Sequence, residues 1–443
     1  MDPNRSASVS PWQLLTSVRF APFFSTQFLG ALNDNLFKNT LILLLVFESA
    51  QQGGEIDKLT NLAAALFILP YLLFSALAGQ LADRHEKSAL VRLLKIGELG
   101  LMLLASVALL SHNLSMLYLL LFLMATQSAF FSPIKYSLIP QHLEPSQWVA
   151  GNGLVEAGTF IAILLGTLIA GVLFRYPQGE LMIAALLCLQ AFLGWWACRR
   201  IPLAPSAIAE QQPLRNPARL TVRLLAQSWK QPRIRFLILA ISWFWFLGAA
   251  YLTQVPHYAQ AVLGGDTLTV SALLCCFTVG IGAGSLACNR LTRDRLGRDM
   301  VLIGLAGLIL AGSDLFFASP QSPLPADSGL GALLAANLRV ALDIVLIGAF
   351  GGCYIVPLYT QLQARTDIGN RAQTIAANNI VNALYMVLSA AMGFVLLGLW
   401  HWPLETFFLT LALLNLPMAA YVVWSRPGWL GASFQRLRPK RQL

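Results

Sequence analysis

From residue 20 to residue 424 the chain alternates between long apolar runs and brief polar breaks. The hydrocarbon core of a bilayer takes about 20 apolar residues per helix, so each run predicts a membrane-crossing helix. The pattern predicts twelve, at 20–47, 60–83, 88–111, 114–139, 147–174, 180–198, 235–262, 267–289, 299–318, 330–361, 371–399 and 403–424. The breaks at 84–87, 112–113 and 400–402 are so short that the helices they join must be antiparallel neighbours. One long polar stretch, Arg199 to Arg233, carries Pro202, Pro205, Pro213, Pro217 and Pro232 and divides six helices from six. The expected organisation is a tail at 1–19, a bundle at 20–198, a linker at 199–233, a second bundle at 234–424 and a basic tail at 425–443.

Composition agrees with this reading. Of 443 residues 57% are hydrophobic and 11% charged, against about 25% charged in soluble domains. The net charge of +10 raises nucleic acid as a partner, but no Arg-rich helix with interleaved aromatics lies outside the apolar runs. Membrane proteins collect Lys and Arg in cytoplasmic loops. With the N-terminus inside, all but five of the 30 basic residues fall on the cytoplasmic side. Lys58 and Arg175 lie across the membrane, and Lys38, Lys135 and Arg339 lie inside predicted helices. Both termini are therefore expected in the cytoplasm. The N-terminus is polar up to Arg19 with no signal cleavage site behind the first run, so that helix is expected to remain as the insertion signal. Cys188, Cys198, Cys275, Cys276, Cys288 and Cys353 form no CxxC pair and read as small hydrophobes rather than a metal site or disulfide frame. With no P-loop, HExxH or nucleotide fingerprint, neither an enzyme nor a cofactor is expected.

The two halves resemble each other. Val149-Ala-Gly-Asn-Gly-Leu-Val-Glu156 in the fifth helix aligns with Ile375-Ala-Ala-Asn-Asn-Ile-Val-Asn382 in the eleventh. Ser132-Pro133 and Val356-Pro357 stand at a similar spacing upstream, and Gly79-Gln-Leu-Ala82 matches Gly284-Ser-Leu-Ala287. Two parallel six-helix repeats are the plan of the major facilitators, so the expected fold is an all-α membrane protein of two pseudo-symmetric bundles. Gly79-Gln-Leu-Ala-Asp-Arg-His-Glu-Lys87 resembles that family's loop signature. In it Gly79 permits close helix approach, while Asp83, Arg84 and Lys87 can form charge-assisted bonds and cap helix ends. These four are the candidate gating residues. The second copy has lost the acid, so a weaker lock is expected there.

Ionisable groups at bilayer depth normally face a partner or a water-filled cavity. Asp34 and Lys38 are four apart with the acid first, the favourable order for an ion pair. Asn33, Asn35 and Asn39 make the first helix more polar than a pair requires, which favours a cavity-lining site. Lys135 follows Pro133, where a bend is expected, and is open to two readings: cavity contact or snorkelling to the interface. Glu156, with Asn152 one turn before it, could pair with Lys135 or a bound cation. Arg339 and Asp343 read as a self-neutralising pair, and Glu98 and Asp314 have no partner evident in the sequence.

Gln27-Phe-Leu-Gly-Ala-Leu-Asn-Asp-Asn35, Phe131-Ser-Pro-Ile-Lys-Tyr136 and Ala150-Gly-Asn-Gly-Leu-Val-Glu156 resemble the bacterial lysophospholipid transporter family of the major facilitators. The likeness covers most of the N-terminal half and, more loosely, helices seven to eleven. Ser242-Trp-Phe-Trp-Phe-Leu-Gly248 and Leu263-Gly-Gly-Asp266 resemble the versions fused to an acyltransferase and an acyl-activating enzyme. The resemblance implies a flippase that moves lysophospholipids such as lysophosphatidylethanolamine from the outer to the inner leaflet of the bacterial inner membrane, for reacylation. Asp34 and Lys135 fall on the family's helix-1 acid and helix-4 lysine. Gln254 stands where some members place an arginine, and Lys38 is the candidate to replace it. Asp34 would hold an ammonium, Lys135 and Lys38 a phosphate, with Asn35, Asn152 and Glu156 completing the site and Phe28, Phe37 and Phe131 facing the acyl chain. None of the five histidines begins an HxxxxD motif, so the acyltransferase is expected on a separate chain. The alternative is a proton-coupled carrier of a soluble solute, a drug or siderophore, with Asp34, Glu98 or Glu156 carrying the proton. A third class is a non-transporting membrane scaffold.

Overall fold

The computed structural model describes residues 10–52, 56–206, 216–292, 297–320, 330–426 and 428–429. Twelve long helices organise them. The first half holds α1 (Ala21–Gln52), α2 (Ile56–Arg84), α3 (Lys87–Leu110), α4 (Leu114–His142), α5 (Trp148–Leu173) and α6 (Gly179–Cys198). The second holds α7 (Pro232–Ala261), α8 (Thr267–Leu291), α9 (Arg298–Ala318), α10 (Leu338–Arg365), α11 (Arg371–Gly393) and α12 (Leu404–Ser425). Among the described residues there is no strand, as befits backbone that must satisfy its own polar groups in lipid. Each of α2 to α12 is long and apolar enough to cross a membrane. The α1 helix owes its lower hydropathy to Asn33, Asp34, Asn35, Lys38 and Asn39. Leu104, Val107, Phe192, Leu310 and Phe317 are exposed on outer faces, where lipid replaces water.

The ends follow local chemistry. Glu86 caps α3, accepting from Ser88 N at 2.8 Å and Ala89 N at 2.6 Å. Asn113 caps α4 and Asp266 caps α8. The α4 helix runs through both Pro133 and Pro140. Two departures from the sequence reading appear. The run predicted as one helix at 330–361 breaks at Asn337 into Leu330–Ala336 and α10. The polar stretch between the halves contains a helix, Pro217–Lys230, capped by Asn216 with Pro217 in its first turn. Proline there costs nothing, because that N–H has no helical partner anyway. Leu220, Leu224 and Ser228 bury one face of this helix and Val222 and Arg223 stay exposed.

Within the halves α1 packs on α5 and α6, and α10 on α8 and α9. Between them, α2 lies against α11 and α5 against α8. Small residues set both approaches. A Cβ on Gly79 would stand 2.6 Å from Ala376 Cβ, and one on Gly153 2.5 Å from the Ser285 carbonyl oxygen. Backbones this close gain van der Waals contact that bulkier side chains would forbid.

Candidate functional site

A cavity of about 270 Å³ lies between the halves. From the first half, α1 supplies Asp34, Asn35 and Lys38, α2 Phe67 and Tyr71, α3 Lys95 and Glu98, and α4 Ser128, Phe131 and Lys135. Among the described residues the second half contributes no charged side chain to the wall: Trp245, Leu252, Tyr359, Asn379, Asn382 and Met386 face the cavity from there. The charge chemistry is therefore carried by one half.

Asp34 and Lys38 share a face, as their spacing requires, but they make no ion pair. Ser128 Oγ donates to Asp34 Oδ2 at 2.5 Å. Lys38 Nζ donates to Asn35 Oδ1 at 3.2 Å and sits 5.1 Å from the Phe67 ring centroid. Lys135 does not snorkel: it lines the cavity with its ammonium 4.7 Å from the Tyr136 ring centroid. Neither Lys38 nor Lys135 forms an ion pair among the described residues. Aromatic faces hold both cations, an interaction of about 0.5–2 kcal/mol that an entering anion can outbid. The asparagines of α1 divide. Asn35 lines the cavity, Asn39 bonds Thr167 on α5 at 3.0 Å, and Asn33 turns to Glu98 at 3.5 Å.

Glu98 finds the partner the sequence did not name. Lys95 Nζ stands 2.6 Å from its Oε2, and both side chains are 1% exposed. Lys95, one of the basic residues assigned above to the cytoplasmic side, stands two helical turns past Lys87 and is already inside the bundle. The signal was present, since residues three apart on a helix share a face.

Below the cavity the halves are sealed. Tyr136 on α4 and Tyr359 on α10 stack with centroids 4.2 Å apart, 5° from parallel. Tyr136 donates to Glu156 Oε1 at 2.7 Å, and Trp245 Nε1 donates to Tyr359 Oη at 3.1 Å. Asn152 donates to Gln363 Oε1 at 2.7 Å and to Thr360 Oγ1 at 3.2 Å, both on α10. Asn152 and Glu156 are thus absent from the cavity wall; their face of α5 is covered by α4 and α10. At the outermost layer Asp83 accepts from Ala372 N and Gln373 N, each at 3.0 Å, at the start of α11. These are the free N–H groups of a helix N-terminus, the end that favours an anion. Lys87 is buried beside this contact and Arg84 is half-buried in the last turn of α2.

Other sequence expectations are relocated. Arg339 pairs with Asp314 of α9, not with Asp343. A neighbouring helix offers a bidentate geometry that the i+4 position on the same helix does not. Phe131 lines the cavity, whereas Phe37 is in the core of the first half and Phe28 stacks on Phe24. Gln254 lies on α7 outside the cavity wall.

An inter-half cavity between pseudo-symmetric bundles, sealed at one end by side chains from both, is the architecture of an alternating-access carrier. The chain belongs to the Major Facilitator Superfamily, whose profile matches residues 23–390, and is a multi-pass membrane protein. It is 28% identical to the lysophospholipid transporter LplT of Cronobacter sakazakii over 400 residues, 89% of this chain and 90% of that protein. It is likewise 28% identical to lysophospholipid transporter LplT of Escherichia coli O157:H7 over 409 residues, 90% of this chain and 94% of that one. Among solved structures it resembles a bacterial homologue of the iron transporter ferroportin in an outward-facing state, with TM-score 0.63 at 16% identity, covering 93% and 99% of the two chains. The proton:xylose symporter XylE superposes with TM-score 0.64 at 15% identity, covering 92% and 96%. At those identities the likeness speaks for the fold alone.

Proposed function

We propose that this protein moves lysophospholipids, such as lysophosphatidylethanolamine, from the outer to the inner leaflet of the bacterial inner membrane. The observation that carries the reading is the pairing, in one cavity, of a carboxylate with two ammonium groups that have no ion-pair partner among the described residues. A phosphate would bridge Lys38 and Lys135, with Asn35 beside them, while Asp34 takes the headgroup ammonium. The neutral wall of Asn379, Asn382 and Trp245 would meet the glycerol oxygens. A cavity of about 270 Å³ suits a headgroup, so the acyl chain would lie along Phe67, Phe131 and the lipid-facing gaps between helices. The names of the relatives support the substrate class.

The moving bodies are the bundles at 20–198 and 234–424, joined by the linker at 199–233. Both termini lie in the cytoplasm in this reading, which makes the sealed end cytoplasmic and the state outward-facing. Gly79, Asp83, Arg84 and Lys87 form the outer layer of the seal, and Tyr136 with Tyr359 the inner one. Rocking of one half on the other would break both layers and carry the headgroup across. No bond is made or broken in the lipid. Reacylation by an acyltransferase on another chain would keep the inner concentration low and the flux inward.

The test is uptake of labelled lysophosphatidylethanolamine into proteoliposomes, with and without an uncoupler, for the wild type and Asp34→Asn. Uptake that survives the uncoupler and falls in the variant is the expected result. A well-folded protein that moves no lysophospholipid would refute the assignment, and uptake of a soluble solute abolished by the uncoupler would favour a proton-coupled carrier.

A further inference from the structure

A second charged pair stands on the same wall and plays no part in the scheme above. Glu98 accepts from Lys95 at 2.6 Å, from Gln127 Nε2 at 3.1 Å and from Asn33 Nδ2 at 3.5 Å, so both its oxygens are engaged. Ser128 Oγ, 3.3 Å from Gln127 Oε1, gives its one proton to the nearer Asp34 Oδ2 at 2.5 Å. Two carboxylates, Glu98 and Asp34, are therefore separated by only two neutral side chains. Gly30, one turn before Asp34 on α1, admits the Lys95 ammonium: a Cβ there would stand 2.5 Å from Lys95 Nζ. The ammonium also lies 5.5 Å from the ring centroid of Phe131, on the cavity wall.

We propose that Lys95 is a specificity-determining positioning residue: it cancels the charge of Glu98, so that an entering headgroup meets the charges of Asp34, Lys38 and Lys135 alone. The inference rests on the lysophospholipid reading. With the pair intact, two ammonium groups face one carboxylate, a formal excess of positive charge that suits a phosphate. Without Lys95, Glu98 would stand bare beside Asp34 and the excess would vanish. Without Glu98, the excess would grow. The pair thus sets the balance between a zwitterionic and an anionic headgroup while touching neither, and its two members act with opposite sign.

The experiment compares kcat/KM for lysophosphatidylglycerol, which is anionic, with that for lysophosphatidylethanolamine, which is zwitterionic. It uses proteoliposomes of wild type, Lys95→Met, Glu98→Gln and the double variant. The anionic-to-zwitterionic ratio is expected to fall about tenfold in Lys95→Met and rise about tenfold in Glu98→Gln, the scale of one unit charge at about 10 Å in an effective dielectric of about 20. The double variant is expected to return it to within about twofold of wild type, since removing one positive and one negative charge leaves the net charge of the wall unchanged. Should Lys95→Met fail to fold, Glu98→Gln and the double variant still decide. A ratio unmoved in Glu98→Gln, or one the double variant does not restore, overturns the inference, because lost packing would slow both lipids alike. A wild type that moves neither lipid refutes the parent reading and this one with it, whereas wild-type transport with unmoved ratios refutes this inference only.

Discussion

Gly79→Ala is the substitution that should most directly unseat the sealed state. The added Cβ would stand 2.6 Å from Ala376 Cβ, 2.8 Å from the Ala372 carbonyl oxygen and 2.9 Å from Gln373 Cα. Carbon atoms rest about 3.5–4.0 Å apart, so α11 must retreat by roughly 1 Å. Two of the three obstacles are backbone, which no side-chain rotation relieves. The retreat carries Ala372 N and Gln373 N away from Asp83, each bond now 3.0 Å long. A hydrogen bond to a charged group is worth about 1.5–3 kcal/mol, so losing both costs at least about 3 kcal/mol. In the rocking scheme proposed above α2 and α11 separate in the opposite state, so the cost falls on the sealed state alone. It should move the sealed-to-open ratio by about a hundredfold. The assay is the distance distribution between spin labels at positions 85 and 370, both exposed at this end of the molecule, in a cysteine-free background. A longer-distance population should grow in Gly79→Ala. A distribution identical to that of the unsubstituted protein would refute the view that the α2–α11 contact holds the seal.

Other outcomes follow from the same geometry. Lys135→Met should raise KM for lysophosphatidylethanolamine about tenfold or more, the weight of one charge-assisted contact, and leave the melting temperature unchanged because the ammonium gives up no ion pair; a lowered melting temperature with unchanged KM would contradict this. Asp314→Asn should change stability by less than about 1 kcal/mol, because its pair with Arg339 is largely exposed, as thermal unfolding in detergent would reveal. Burial pushes the Glu86 carboxyl up, but hydrogen bonds from Ser88, Ala204 and Ala89 outweigh it and hold the group below its ordinary 4.5. Its contribution is therefore present above that value and lost as pH falls through the lower, folded one. Acid melts of wild type and Glu86→Gln should converge there, and a gap that persists would reject the assignment.

Much of the scaffold was legible because its causes are local. Hydropathy marked the membrane helices, and the Ala-x-Asn and Gly-x-Leu-Ala repeats pointed to two similar halves. Proline hid the helix at Pro217–Lys230, because a proline looks like a breaker although it is harmless in a first turn. Asp34 and Lys135 were legible as candidates because charge at bilayer depth demands a reason. Glu156 carried the same signal, and it and Asn152 bond Tyr136, Thr360 and Gln363 beneath the cavity.

Hydropathy and helical spacing were enough to mark the membrane-crossing segments and to say which residues share a helix face. Those follow from a 1.5 Å rise and 3.6 residues per turn. Which partner each charge meets depends on how the helices pack against one another. Asp34 has Ser128 rather than Lys38, Arg339 has Asp314 rather than Asp343, and Lys95 belongs to Glu98 rather than to the loop. The physical reason is that helix rotation is fixed by the packing of apolar and small residues on every neighbouring helix at once. Spacing along one helix can bring two charges to the same face, but the best-placed hydrogen-bond geometry then comes from whichever helix that packing sets beside them.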